Sequence, residues 1–85
     1  MTRQVIVEFD FKGLQFKVIG YPYDNVIVNI YPFWESNEQL LQFRFDDKYR
    51  CLSKIRDLYK QNSNELSEQE EQDLIDLLDE AKRKL

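Results

Sequence analysis

The stretch VIVEFDFKGLQFKVIG, residues 5–20, decides the fold. Its apolar residues alternate with period two, which is the spacing of a strand that is buried on one face. Lys12-Gly13 suits a two-residue turn, because glycine accepts the positive φ that such turns require. A fold at this point sets Phe9 opposite Phe16. Since a slip of one residue would place the rings on the wrong face, the pattern predicts a hairpin and its register.

The alternation continues beyond the hairpin. A five-residue loop, YPYDN at 21–25, leads to a strand whose core face carries Val26, Val28 and Ile30. After the polar ESNEQ, the residues Leu41 to Phe45 alternate again and predict a fourth strand. A short helix over residues 35–42 is the alternative for that segment.

After residue 45 the apolar residues recur at spacings of three and four, which predicts two helices. Asp46 or Asp47 is expected to cap the first, whose apolar stripe is Cys51 or Leu52, Ile55, Leu58 and Tyr59. Ser67 and Glu70 form a capping box for the second, whose stripe is Leu74, Leu77, Leu78, Ala81 and Leu85.

These elements predict one α+β domain over residues 1–85. An antiparallel meander of three or four strands, residues 1–45, is followed by a two-helix hairpin, residues 46–85. The helices are expected to cover one face of the sheet, because a lone meander is marginally stable in water.

The composition argues against an enzyme. The chain has no histidine, so it lacks the commonest general base and metal ligand, and its single cysteine, Cys51, cannot form a zinc site alone. Cys51 falls on the helical stripe and is expected to be a buried thiol. Neither GxGxxG nor GxxxxGK[ST] is present. We therefore predict no catalytic residue, no cofactor and no metal; the acidic pairs are expected to cap helices or face solvent.

Charge and hydropathy limit the kinds of partner that the chain can be expected to bind. The formal net charge is −4, and no apolar run has the length of a leader or a membrane span. A soluble, cytoplasmic protein without membrane contact is predicted. General binding to nucleic acid is disfavoured because it requires clustered Lys and Arg.

Two groups of apolar residues are candidates for contact with another protein. The first comprises the loop aromatics Tyr21, Tyr23 and Trp34, although for Trp34 the favoured reading is that it folds over the edge of the core. The second is a row on the outer sheet face, Ile6, Ile19 and Ile27, beside a polar row of Glu8, Lys17, Asn29 and Arg44. A half-exposed sheet explains this row as well, and homodimerisation is a further option. Stacking of single-stranded bases by Tyr31 is disfavoured, because aromatics are few and charge is mixed.

The second helix is strongly acidic. Residues 65–80 contain eight acidic side chains and no basic one, whereas the preceding helix carries five basic residues. Mutual compensation is the simple explanation. The alternative is an acidic ridge, including Asp73, Asp76 and Glu80, that mimics nucleic acid in the groove of a basic enzyme. The sequence thus predicts a small non-enzymatic protein-binding module, with such an inhibitor, of the kind mobile elements encode, as the second hypothesis.

Overall fold

The computed structural model describes residues 4–21, 25–32 and 38–85 of the chain. Within them lie four strands, β1 (Val5–Phe11), β2 (Leu14–Gly20), β3 (Val26–Pro32) and β4 (Leu41–Arg44). A 3₁₀ turn (Phe45–Asp47) and two helices, α1 (Leu52–Gln61) and α2 (Glu68–Arg83), follow. The strands form one antiparallel sheet in the order β1-β2-β3-β4. The predicted α+β class is confirmed.

The β1–β2 hairpin turns at Lys12 and Gly13, whose φ angles of 49° and 88° are both positive. Two successive positive φ angles define a type I′ turn, whose twist matches that of the flanking strands. Phe9 lies opposite Phe16, and the two rings stack with their centroids 5.1 Å apart. The predicted hairpin and its register are confirmed.

The third and fourth strands also follow the prediction. The connection at residues 21–25 is closed by a hydrogen bond of 2.7 Å from the Tyr21 N–H to the Asn25 carbonyl. Val28 lies opposite Val18 on one side and opposite Phe43 on the other. The fourth strand is therefore confirmed over residues 41–44. The described part of the alternative helix, residues 38–42, is not helical.

The predicted capping of α1 by Asp46 or Asp47 is wrong. Both aspartates lie in the 3₁₀ turn, and α1 has Cys51 at its N-cap without a side-chain hydrogen bond. The Cys51 N–H donates instead to the backbone carbonyl of Asp47 at 3.0 Å. Phe45 is buried at the end of β4. The chain must therefore turn a corner before a helix can face the sheet, and α1 begins several residues later.

The capping box of α2 is present as predicted. The Ser67 hydroxyl accepts from the Glu70 N–H at 3.1 Å, and the Glu70 carboxylate accepts from the Ser67 N–H at 2.9 Å. These bonds satisfy two backbone donors at the helix N-terminus that have no partner within the helix. The start of α2 is thus specified locally.

The core lies between the helices and the inner face of the sheet, which we define as the face that carries Phe16 and Val28. Both helices contribute to one buried cluster with these strands, as predicted. Ile75, outside the predicted stripe, is also buried, whereas Leu85, at the predicted end of that stripe, is exposed. The members of the cluster are Leu14, Phe16, Val18, Val28, Ile30, Phe43, Phe45, Cys51, Ile55, Tyr59, Leu74, Ile75, Leu78 and Ala81.

A set of polar contacts, here called the turn tie, joins the tip of the β1–β2 hairpin to the helices. The Tyr59 hydroxyl donates to the carbonyl of Phe11 at 2.5 Å. Lys12 Nζ lies 2.7 Å from a Glu70 carboxylate oxygen and also donates to the Glu65 carbonyl. The turn tie thus holds the hairpin tip against the end of α1 and the start of α2.

Candidate functional site

The outer face of the sheet carries the predicted isoleucine row. Ile6 lies opposite Ile19, and Ile19 lies opposite Ile27. Their exposure differs, because Ile6 is 48% exposed whereas Ile19 is only 7% exposed and Ile27 is intermediate. The expectation of a bare row is therefore wrong at Ile19, and the row faces solvent mainly at its β1 end.

The neighbouring polar row differs from the prediction at one position. Glu8 lies opposite Lys17, and Lys17 opposite Asn29, as expected. Gln42, rather than Arg44, lies opposite Asn29 and completes the row. Arg44 lies opposite Ile27 and extends the isoleucine row instead. The placement of Arg44 is thus wrong because β4 pairs two residues away from the assumed alignment.

Asn29 is the buried polar residue of the outer face, with 6% of its surface exposed. Its Nδ2 donates to the Tyr31 hydroxyl at 3.3 Å, and its Oδ1 is buried without a hydrogen-bond partner in the described structure. Lys17 Nζ lies 4.7 Å from the Tyr31 ring centroid, within cation–π range. This cluster gives the centre of the outer face a polar character.

Four of the five exposed large hydrophobic residues of the described chain lie around Gly20. Val5 pairs with Gly20 across the hairpin, and Ile6 and Tyr21 are their chain neighbours; Val5 lies on the inner face of the sheet and Ile6 on the outer face. A Leu85 methyl carbon would lie 3.2 Å from a Cβ added to Gly20, so Leu85 closes over that glycine. We call Val5, Ile6, Tyr21 and Leu85 the apolar end. The fifth exposed hydrophobic residue, Tyr49, lies before α1.

The apolar end contains two predicted site residues and two that were missed. Ile6 and Tyr21 were predicted as partner contacts, whereas Val5 and Leu85 were assigned to the core because both continue apolar stripes. Periodicity shows which face a side chain occupies but not where the opposing layer stops. The predicted contacts Tyr23 and Trp34 lie outside the described residues.

The solvent face of α2 is acidic. Asp73, Asp76 and Glu80 are exposed on the side of the helix opposite Leu74 and Leu78. Gln69 and Gln72 donate to the carboxylates of Asp73 and Asp76, each at 3.0 Å. Glu80 lies 3.6 Å from Lys84. Asp73 and Asp76 have no ion-pair partner in the part of the chain that the structure describes.

Other acidic residues of α2 are compensated by the basic residues that precede it. Arg56 hydrogen-bonds Glu71 at 2.8 Å, and Lys48 lies 3.0 Å from Asp79. The hydrogen bond to Glu71, followed by the charge of that carboxylate, raises the pKa of Arg56. The hydrogen bond from Lys12, followed by those from Ser67, lowers the pKa of Glu70. Ion pairs with basic residues therefore neutralise some of the acidic side chains of α2, but not Asp73 and Asp76.

The remaining candidates carry little chemistry. Cys51 is a buried free thiol in the core, as expected. The described residues hold no cluster of three or more acidic or cysteine side chains placed to bind a metal ion. No described helix combines the length and apolar character needed to cross a membrane.

An open groove of about 310 Å³ between α1 and α2 is lined by Tyr49, Leu52, Arg56, Glu68, Glu71, Gln72 and Ile75.

Comparison of the chain with protein-family models, curated proteins and solved structures finds no match.

Proposed function

We propose that this chain is a small non-enzymatic module that binds another protein, and that the apolar end is its principal contact surface. The observation that carries the proposal is that Val5, Ile6, Tyr21 and Leu85 are exposed at the same end of the sheet, with Val5 and Leu85 on its inner face and Ile6 on its outer face. Scattered single hydrophobic residues are normal on a protein surface, whereas several that are exposed at one end of a sheet mark a candidate interaction site.

The size and rim of the apolar end suit a partner contact. Complete burial of one aliphatic side chain contributes about 1.5–3 kcal/mol, and these residues are already partly covered, so each would add roughly half of that. Tyr21 supplies an aromatic ring, a type enriched among residues that dominate binding energy. Lys82, Arg83 and Lys84 precede Leu85 at the end of α2, so basic residues neighbour the apolar end along the chain. A partner with an apolar centre and an acidic border fits this surface.

The exposed tyrosines provide a matched test. The tagged chain is used to capture proteins from cells of its source; a captured protein is then purified and titrated with variants. We expect Ile6→Ser and Tyr21→Ser to weaken binding about tenfold or more, whereas Tyr49→Ser, the same change on another tyrosine that is exposed among the described residues, changes it less than about twofold. Equal effects of the two tyrosine variants would contradict a role for the apolar end.

A loop-aromatic contact is tested in the same titration. Trp34→Ala and Tyr23→Ala should weaken binding without unfolding the chain if these predicted residues extend the contact surface. Self-association through the outer sheet face is tested separately by sedimentation velocity over a hundredfold range of protein concentration. A dimer that Ile6→Ser dissociates would assign the exposed isoleucine to a second copy of this chain.

The nucleic-acid mimic is retained as the second function, because Asp73 and Asp76 project from α2 without ion-pair partners among the described residues. An interaction of this kind weakens steeply as salt rises from about 50 to 500 mM, because screening shortens the range of exposed charges. The triple charge reversal of Asp73, Asp76 and Glu80 to Lys should abolish it. Salt-insensitive binding that survives this reversal would exclude the mimic.

A further inference from the structure

The outer edge of β1 is a long and regular strand edge. β1 is an end strand of the sheet, and all seven of its residues pair with β2 without a bulge. The other end strand, β4, has only four residues and leads directly into the 3₁₀ turn. Natural sheets shorten, bend or cover such edges because their backbone groups can pair with another strand. Among the described strands, β1 has none of the devices that shorten or bend an edge.

The turn type determines which backbone groups point outward from this edge. A two-residue type I′ turn is closed by a hydrogen-bonded pair, here Phe11 and Leu14. Hydrogen-bonded and non-hydrogen-bonded pairs alternate along an antiparallel ladder. The N–H and C=O groups of Ile6, Glu8 and Asp10 therefore point away from β2. No other described element pairs with this edge of the sheet.

A groove beside this edge is able to receive side chains. It lies between β1 and α2, has a volume of about 110 Å³, and has an apolar floor of Val7, Phe9, Leu77 and Ala81. This volume corresponds to roughly four water molecules, or one aliphatic side chain. Glu80 and Lys84 line the groove on the α2 side. An added strand would place alternate side chains over this floor and the others beside Glu8 and Asp10.

The charges on β1 favour a basic strand from another protein over a second copy of this chain as the strand that pairs with this edge. The outer side of β1 presents Glu8 and Asp10, both exposed. Lys17 Nζ lies 3.9 Å from a Glu8 carboxylate oxygen, and Lys84 lines the same groove as Glu8. In a pairing of two copies with full overlap, Glu8 would lie opposite Glu8 of the second copy, and like charges directly opposite each other are destabilising. Basic side chains on the added strand complement both acidic residues.

We propose that the edge of β1 binds an extended segment of another protein, as an added antiparallel strand in which basic residues alternate with apolar ones. The backbone of the segment bonds to Ile6, Glu8 and Asp10, its basic side chains face Glu8 and Asp10, and one apolar side chain enters the groove. Main-chain bonds supply affinity in this mode, and the alternating side chains supply specificity. This surface is distinct from the apolar end, apart from the shared Ile6.

The test uses the full chain and capped nine-residue peptides. The probe alternates lysine with valine; one control replaces lysine with glutamate, and another carries N-methyl groups on the amides that would face β1. By NMR we expect the probe to shift the amide signals of Ile6, Glu8 and Asp10 and to slow their hydrogen exchange about tenfold or more. Both control peptides should bind about tenfold more weakly, because they lose either charge complementarity or main-chain bonds.

Two charge-matched variants locate the site. The double variant Glu8→Lys, Asp10→Lys is expected to weaken probe binding about tenfold, whereas Asp73→Lys, Asp76→Lys, with the same change in net charge, should alter it less than about twofold at physiological salt. Asp10→Lys alone is used if the double variant does not fold. Tyr21→Ser should leave probe binding unchanged, so failure at the edge and failure at the apolar end are distinguishable.

Several outcomes would overturn the proposal. Equal binding of the lysine and glutamate peptides would remove the charge argument, and unchanged binding after N-methylation would remove the added strand. Equal effects of the two charge-matched variants would show that net charge, rather than the edge, controls binding. Slowed exchange at Ile6, Glu8 and Asp10 that rises with protein concentration in the absence of peptide would assign the edge to a second copy of this chain.

Discussion

Replacement of Tyr59 by phenylalanine tests how strongly the turn tie couples the helices to the hairpin. The side chain is 1% exposed, and its hydroxyl donates to the Phe11 carbonyl at 2.5 Å. Tyr59→Phe keeps the ring and removes this hydrogen bond. The variant therefore isolates one contact between α1 and β1 without opening a large cavity.

The expected cost is about 1 kcal/mol. A hydrogen bond within a protein contributes about 0.5–1.5 kcal/mol net. The Phe11 carbonyl keeps the bond from the Leu14 N–H that closes the type I′ turn, so it is not left unsatisfied. For a domain of this size, a loss of 1 kcal/mol lowers Tm by about 4–8 °C.

The difference in stability between the native chain and Tyr59→Phe should shrink at alkaline pH. Burial, followed by the charge of Glu70, raises the pKa of Tyr59 above its ordinary value of about 10. Above that pH the unfolded tyrosine loses its proton while the folded one retains it, so unfolding releases a proton and stability falls as pH rises. The loss approaches about 1.4 kcal/mol per pH unit. Below about pH 9 the native chain should keep its full excess in free energy of unfolding over Tyr59→Phe. That excess should fall to zero at roughly pH 10.5–11.

Thermal and urea unfolding of both proteins, from pH 7 to pH 11, measures this difference. Tyr49→Phe is the control, because Tyr49 is 63% exposed and its replacement should leave stability unchanged. If Tyr59→Phe unfolds at the same temperature as the native chain at pH 7, the hydrogen bond contributes nothing. If the difference in stability between the two proteins is constant up to pH 11, burial does not raise the pKa of Tyr59.

Three further predictions concern the local signals of the fold. Ser67→Ala breaks the capping box of α2 and should cost about 1 kcal/mol in urea unfolding, whereas Ser53→Ala on an exposed face of α1 should cost less than about 0.5 kcal/mol. Lys12→Met should raise the pKa of Glu70, measured by NMR titration, and an unchanged pKa would show that the ion pair does not persist in solution. Gly13→Ala, at φ 88°, should lower stability by about 1 kcal/mol, and a neutral result would argue against the type I′ turn.

The register of the sheet could be predicted because two independent signals agree. The Lys12-Gly13 turn sets which residues face each other, and the alternation around Phe9 and Phe16 gives the same alignment. A slipped register would have exposed both rings, so its cost is large. The capping box at Ser67 was predictable for a similar reason, since both of its hydrogen bonds lie within four residues.

The start of α1 was not predictable from local chemistry. Asp46 is a good N-cap residue, but capping preference does not show that Phe45 has to remain in the core while the chain turns a corner. The length of that corner depends on the position of α1 relative to β4, which is a tertiary property. The same limitation applies to Arg44, whose neighbour depends on how the β3–β4 connection aligns the strands.

The candidate surfaces were predictable only in outline. Alternation assigns Ile6 and Ile19 to the same face but does not show that Ile19 is covered. Val5 follows the core pattern and is nevertheless exposed. Whether a side chain at the end of the sheet is exposed depends on where the helix that covers the sheet ends. The spacing of apolar residues in the sequence does not show where that is. The open edge of β1 likewise depends on strand order.

The turn tie makes the hairpin and the helices a single cooperative unit. Its bond between Tyr59 and Phe11 joins residues 48 apart in the chain, and its bond between Lys12 and Glu65 spans 53 positions. Such distant contacts form slowly during folding, because a long stretch of chain has to be ordered first. We expect a protease cut between α1 and α2 to leave neither fragment folded, and the intact chain to unfold in one step without a partly folded intermediate.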